Sequence, residues 1–190
     1  MSNRSAREPA RDRISVLVLG LGNVLLGDDG LGTAALACIE KEYSVPTGVR
    51  LEDGGTLGLS LLGLIADSDH VILVDAVRAE APPGTLVRLS GTDVLEAVRD
   101  RLSPHQVGVA DLLAAARHIN CYPATVTLLG LVPDTIDLAI ARSSAVREGL
   151  GDLVAAIIRE VQNLGHRMVL ETHAAGRDGP IHNLTRHFGM

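Results

Sequence analysis

The chain has 190 residues, a length that suits one domain, and 23 acidic against 17 basic residues give it a net charge of −6. Apolar residues make up 46% of the chain, yet the aromatic residues are only Tyr43, Tyr122 and Phe188, so the core must be built from Leu, Val, Ile and Ala. An acidic chain with few aromatic rings lacks both the positive field that attracts phosphate backbones and the rings on which bases stack. We therefore do not expect nucleic acid to be a partner.

Cysteine usage and hydropathy bear on where the protein works. Cys38 and Cys121 lie far apart and form no CxxC motif, which disfavours a disulfide scaffold or a zinc knuckle and favours a reducing compartment. The apolar stretch Ile14–Leu26 follows several arginines as in a secretory signal, but Gly20 and Gly22 interrupt it. No stretch approaches the ~20 apolar residues that span a bilayer. We expect a cytoplasmic protein with no membrane segment.

Strand and helix patterns alternate along the chain. Apolar, branched runs predict strands at Ile14–Leu19, Val49–Glu52, Val71–Val74 and Ala124–Val132, and alternation after the Pro82-Pro83-Gly84 turn predicts an edge strand at Thr85–Leu89. Helical spacing predicts helices at Leu31–Tyr43, at Leu57–Ile65, from Thr92 or Asp93 to about Arg101, from Pro104 (capped by Ser103) to about His118, and along the stripe from Val146 to Val161.

This alternation predicts a single α/β domain over residues 14–164. Its expected architecture is three-layer α/β/α, with a mostly parallel twisted sheet between two layers of helices. Residues 1–13 are polar and rich in arginine, and we expect a flexible N-terminal tail. Residues 165–190 are polar, contain several histidines and lack periodicity, so we expect a loosely ordered C-terminal tail.

Acidic residues follow each of the first three predicted strands, where ligands bind in an open α/β sheet. They are Asp28-Asp29, Asp53 and Asp75. The first of these loops imitates a dinucleotide-binding fingerprint, but Leu25 occupies its third glycine position. Two carboxylates also precede the helix at the point where a pyrophosphate would lie, so nucleotide binding is disfavoured.

Each candidate site residue has a purely structural explanation when it is considered alone. Asp28 and Asp29 could cap a helix, Asp75 could be a buried carboxylate bonded to loop N–H groups, and a lone histidine such as His105 is more often structural. Together, two carboxylates and an imidazole at one edge of a sheet suit a divalent first-row metal such as zinc or nickel. The sequence contains neither HExxH nor GxSxG, which disfavours an ordinary zinc protease or a serine hydrolase.

The segment Asp53-Gly54-Gly55-Thr56 has two compatible interpretations. It can form a tight strand-to-helix turn with Thr56 as the N-cap, and its paired glycines can let the backbone approach a ligand closely.

Four motifs together resemble those of the nickel–iron hydrogenase maturation endopeptidases. They are Gly20-Leu-Gly22-Asn23-Val-Leu-Leu-Gly27-Asp28-Asp29-Gly30-Leu-Gly32, Asp53-Gly54-Gly55-Thr56, Val74-Asp75-Ala76 and Ser103-Pro104-His105-Gln106, and their order agrees over about Val16–Leu164. The resemblance implies an α/β/α endopeptidase that removes a C-terminal extension from the hydrogenase large-subunit precursor after nickel insertion.

The resemblance also assigns roles to residues. It implies that Asp29, Asp75 and His105 contact the metal and that Asp53 to Thr56 position the substrate backbone. Nickel would be supplied by the precursor as a recognition element, and Asp29 stands where relatives have Glu. Two other functions stay open, a nickel-binding maturation chaperone that does not cut and a small-molecule hydrolase on the same scaffold. We expect a monomer.

Overall fold

The computed structural model describes residues 13–98 and 104–171, with no side-chain description for 104–107. Several predictions therefore fall outside the described residues. They are the N-terminal tail up to residue 12, the Ser103 cap and the C-terminal tail from residue 172 onward. The helix predicted to reach about Arg101 is shorter than expected and ends at Ala97.

Seven strands and five α-helices follow one another along the described chain. The strands are β1 (Ile14–Leu21), β2 (Tyr43–Ser44), β3 (Val49–Gly55), β4 (Ser68–Ala76), β5 (Leu86–Ser90), β6 (Thr125–Leu131) and β7 (Val169–Leu170). The α-helices are α1 (Leu31–Glu42), α2 (Leu62–Ala66), α3 (Thr92–Ala97), α4 (Pro104–His118) and α5 (Ser144–Asn163). Short 3-10 helices at Gly27–Gly30 and Gly58–Leu61 lead into α1 and α2.

Five strands form the main sheet in the order β3-β1-β4-β6-β5. The pairs β1–β3, β1–β4 and β4–β6 are parallel, whereas β5 pairs antiparallel with β6 at the edge. The α/β fold with a mostly parallel sheet is thus confirmed, as is the edge strand predicted at Thr85–Leu89.

Two hydrophobic cores lie on opposite faces of the sheet because successive strand residues point to opposite sides. In β1, Val16 and Val18 pack with α1 and α5, whereas Leu17 and Leu19 pack with α2, α3 and α4. These side chains are fully buried, and they contain no polar atoms that would need a partner. The three-layer α/β/α arrangement follows directly from this alternation.

Local structure differs from the sequence prediction at three places. Asp53 to Gly55, predicted to stop the second strand, lie inside β3. The helix predicted at Leu57–Ile65 is divided into the 3-10 helix Gly58–Leu61 and the short α2. Thr56 does not cap it, because the N-cap position is Leu57 and no side chain bonds the free N–H groups there. Similarly, Gly91 precedes α3 in place of a Thr92 or Asp93 cap.

The segment after α5 is better ordered than its composition suggests. Val169–Leu170 pairs antiparallel with Tyr43–Ser44, and the imidazole Nε2 of His166 lies 2.8 Å from Ser15 Oγ. The expectation of loose order is therefore wrong for this part of the predicted tail. In the parts of the chain that the structure describes, no helix is long and apolar enough to cross a membrane.

Candidate active site

The chain reverses its direction of travel across the sheet between β1 and β4. From β1 it goes to β3 on one side and then returns past β1 to β4 on the other side. In open α/β sheets, ligands bind in the crevice outside the carboxyl ends of the strands at such a switch point. The loop after β1 carries Asp29, and β4 ends with Asp75 and Ala76, so both predicted carboxylates lie at this crevice.

Asp29 is completely buried in the 3-10 helix Gly27–Gly30. Its Oδ2 accepts the backbone N–H of Asn23 at 2.9 Å. The Asn23 side chain in turn accepts the N–H of Leu25 at 3.0 Å, and the Asn23 carbonyl accepts the N–H of Leu26 at 3.0 Å. The loop thus folds on itself around one asparagine, and that turn holds the Asp29 carboxylate in place.

Asp75 is also buried, with 3% of its surface exposed, and its Oδ1 accepts the N–H of Ala76 at 2.8 Å. Gly22 separates it from Asp29 and has a φ of +116°. A Cβ built on Gly22 would overlap the carbonyl oxygen of Asp29 and would lie 3.7 Å from Asp75 Oδ1. Glycine is required here by both conformation and space, and it lets the two acidic residues approach each other.

The segment Asp53 to Thr56 lies beside the same loop. Asp53 Oδ1 accepts bonds from the N–H of Gly55 and the hydroxyl of Thr33, both at 3.1 Å, and the N–H of Gly22 donates to the Gly55 carbonyl at 3.0 Å. Gly54 is small for packing reasons, since a Cβ there would lie 2.8 Å from a Leu19 methyl group. Asp53 and Thr56 are exposed, which leaves both side chains accessible at the crevice.

His105 lies in the first turn of α4, and its side chain is outside the described residues. The backbone of α4 reaches the same edge of the sheet, because Gly108 packs directly against Gly58 after β3. Among the residues whose side chains are described, no three His, Cys, Asp or Glu residues form a metal-binding group. The structure therefore places Asp29, Asp75 and the start of the helix that carries His105 at one edge of the sheet.

Asp28 has a role that its local sequence does not reveal. The sequence pattern predicts a helix cap, but the buried carboxylate accepts backbone N–H groups from the loop after β6: Ser143 at 2.7 Å, Asp134 at 2.9 Å and Thr135 at 3.3 Å. Burial by itself raises the pKa of Asp28, but these hydrogen bonds outweigh burial and lower the pKa below its ordinary value. Asp28 is thus a charged clamp between two loops.

The clamped loop, residues 133–143, is also fixed by main-chain bonds. The N–H of Gly27 donates to the Ala139 carbonyl at 2.6 Å, and the N–H of Ala139 donates to the Leu25 carbonyl at 3.0 Å. Leu138 and Ile140 are each 85% exposed on this loop. The two large apolar side chains thus extend into solvent from a backbone that these hydrogen bonds hold in place.

Comparison with known proteins identifies the family. The family model described as hydrogenase maturation protease (HycI) matches residues 35–160, well over half of the chain. The chain belongs to the hydrogenase maturation protease family. It is therefore an endopeptidase, a hydrolase that acts in hydrogenase maturation. The matched range includes Asp53, Asp75 and His105 but begins after Asp29.

Relatives and solved structures agree with this assignment. The chain is 37% identical to the hydrogenase 2 maturation protease of Escherichia coli K12 over 149 residues, which cover 76% of this chain and 91% of the relative. It is 35% identical to the hydrogenase expression/formation protein HupD of Rhodobacter capsulatus, over 83% of this chain and 76% of that one. The solved structure of the E. coli hydrogenase maturating endopeptidase HybD superposes with a TM-score of 0.79 at 33% identity, covering 82% of this chain and 97% of that one.

Proposed function

We propose that this protease removes a C-terminal extension from the large-subunit precursor of a nickel–iron hydrogenase after nickel has been inserted. The observation that carries the proposal is that two buried acidic residues, Asp29 and Asp75, both lie beside Gly22 at the switch point of the sheet in a maturation protease. We further propose that nickel carried by the precursor is recognised by Asp29, Asp75 and His105. Asp53 to Thr56 would position the substrate backbone.

Burial supports a cation-binding role for these carboxylates. Asp29 and Asp75 each accept a backbone N–H, and a divalent ion carried by the precursor would add positive charge beside these two buried acidic side chains. Oxygen and imidazole ligands suit nickel, and the first turn of a helix favours the neutral imidazole that binds metals. Nickel, on this proposal, belongs to the substrate and arrives with the precursor.

The chemical step we propose is hydrolysis of one peptide bond. A water molecule, activated by the metal or by a carboxylate, attacks the scissile carbonyl carbon, the C–N bond breaks, and a proton passes to the leaving amine. On this proposal Asp75, which lies at the carboxyl end of β4, holds that proton or orients the water. The action of the protein in the cytoplasm as a monomer is part of the same proposal.

The test is the intact mass of a large-subunit precursor after incubation with the protein, in nickel-loaded and nickel-free forms. We expect one loss, equal to a C-terminal peptide, only from the nickel-loaded form. Asp75→Asn and His105→Ala should lower the cleavage rate at least about 100-fold, as removal of an acid–base group does. Asp152→Asn and His118→Ala, at exposed helix positions, are the matched controls.

Three results would contradict parts of the proposal. An unchanged precursor mass with wild-type protein would favour a nickel-binding chaperone. Cleavage of the nickel-free precursor would support the protease activity but contradict the recognition of nickel. Full activity of His105→Ala would show that His105 is not required for cleavage.

A further inference from the structure

A cavity of about 360 Å³ lies beside the carboxylate site, between the segments that follow β4 and β6. Its lining includes one cation, Arg78, and one anion, Asp134, and its other residues are mainly apolar, among them Ala79, Pro133 and Ile136. A volume in this range is typical of small-ligand sites. The mixture suits a short peptide segment, which presents carbonyl oxygens, N–H groups and apolar side chains.

Arg78 connects this cavity with the carboxylates. It follows Asp75 by three residues, and it also lines a narrow cleft that Asp75 lines. Within residues 13–98 and 104–171, no carboxylate forms an ion pair with Arg78, although Arg13, Arg50 and Arg88 are each paired. Arg78 is exposed, and a guanidinium carries several N–H donors that a peptide carbonyl can accept.

The opposite wall of the cavity is held by Asp28. The N–H groups that Asp28 Oδ2 accepts belong to Asp134 and Thr135, and both of these residues line the cavity. The wall is thus anchored to the residue next to Asp29 in the chain. A subsite fixed in this way would keep a constant distance between a bound peptide segment and the two site carboxylates.

Building on the endopeptidase function proposed above, we infer that this cavity is a subsite for the precursor peptide next to the scissile bond. Arg78 binds a main-chain carbonyl oxygen of that peptide, and Asp28 is a positioning residue that holds the facing wall. A main-chain carbonyl is favoured over an acidic side chain because Asp29, Asp75 and Asp134 give the surroundings negative charge.

The experiment measures binding separately from cleavage. The probe is a fluorescein-labelled peptide that spans the precursor cleavage junction, with both ends capped and acidic side chains replaced by amides. We expect Arg78→Ala to weaken its binding about tenfold, the typical loss of a hydrogen bond to a charged group. Arg78→Lys should be intermediate, because an ammonium keeps the charge without the planar fork. Arg159→Ala, at an exposed position of α5, is the matched control.

A kinetic arm tests the positioning role. With nickel-loaded precursor, Arg78→Ala and Asp28→Asn should raise KM about tenfold and change kcat less than KM. Glu160→Gln removes a different buried carboxylate, and we expect it to lower stability without raising KM.

The outcomes separate the subsite from the catalytic function. Cleavage by wild-type protein together with unchanged peptide affinity and KM in Arg78→Ala would overturn the subsite and leave the endopeptidase intact. A KM increase in Glu160→Gln equal to that in Asp28→Asn would overturn the positioning role. Absence of precursor cleavage by the wild type would overturn the proposed function and the subsite with it.

Discussion

Asp28 and Glu160 are both buried carboxylates, but they bind different kinds of partner. Asp28 accepts three backbone N–H groups of the loop after β6. Glu160, on α5, accepts two bonds from the Arg88 guanidinium at 3.0 and 2.8 Å and one from the Thr127 hydroxyl at 3.2 Å. Hydrogen bonding to Arg88 is the main cause of the lowered pKa of Glu160, and it outweighs the opposing effect of burial.

The difference explains what each carboxylate does for the molecule. The Arg88 side chain is 52% exposed, so Glu160 attaches α5 to the sheet through a pair that water and salt can screen. Asp28 is fully buried and its donors are neutral amides, whose bonds salt scarcely affects. The first arrangement attaches a helix that already packs well, whereas the second fixes an irregular loop and adds to the main-chain bonds that Ala139 makes with Leu25 and Gly27.

Replacement of Asp28 should have the largest effect on the free energy of unfolding. We expect Asp28→Asn to lower the free energy of unfolding by about 3 kcal/mol, because charge-assisted bonds are lost and an amide NH₂ group would face a buried N–H donor. Urea denaturation, followed by circular dichroism, measures the change. A loss no greater than that of Glu160→Gln would show that the loop is held by other contacts.

Glu160→Gln should have a smaller effect of about 1 kcal/mol. The single amide oxygen can still accept bonds from Arg88 and Thr127, and the Arg88 N–H that loses its acceptor belongs to a side chain that is already half in solvent. The same denaturation experiment applies. Thr127→Val tests the buried side of this network, and an effect of Thr127→Val larger than that of Glu160→Gln would contradict the view that Arg88 is the principal partner.

Acid should weaken both attachments. Each carboxyl group has a folded-state pKa below its unfolded value, so its contribution to stability is complete above the unfolded pKa and is lost as pH falls through the folded pKa. We expect unfolding free energy to decline below about pH 4, the ordinary carboxyl range. Asp28→Asn and Glu160→Gln should each flatten this decline when urea midpoints are measured against pH. An unchanged slope in both variants would exclude these groups as its source.

Added salt should change stability the least, but it should distinguish the two carboxylates most clearly. Raising NaCl from about 0.05 to about 1 M shortens the Debye length to about 3 Å, which screens the half-exposed Arg88–Glu160 pair. The stability difference between wild type and Glu160→Gln should shrink by a few tenths of a kcal/mol, while that between wild type and Asp28→Asn stays constant. Equal salt dependence of the two differences would show that the two carboxylates are screened alike.

The residues of the candidate site differ in how well the amino-acid sequence predicts them. Asp75 is recognisable because it lies at the end of a buried strand, and Asp29 because it lies in the loop that follows another. Parallel strands end at one edge of a sheet, so both residues are expected there. Sequence patterns miss Arg78 and the wall of the cavity. The donors to Asp28 lie 106 to 115 residues away in the chain, so no local pattern around Asp28 indicates them. From the local sequence, Asp28 is interpreted as a helix cap, and this interpretation does not indicate that it binds the loop after β6.

Strand and helix order, the burial of the strands on both faces, and the carboxylates at the strand ends all follow from the amino-acid sequence alone, because hydrophobic periodicity and glycine positions are local properties. The four motifs also point to the family. Long-range contacts set the remaining features: Asp53 to Gly55 continue β3, Val169–Leu170 pairs with Tyr43–Ser44, and Asp28 binds the loop after β6. These features depend on hydrogen bonds between segments far apart in the chain, and such bonds leave no periodic signal near either partner.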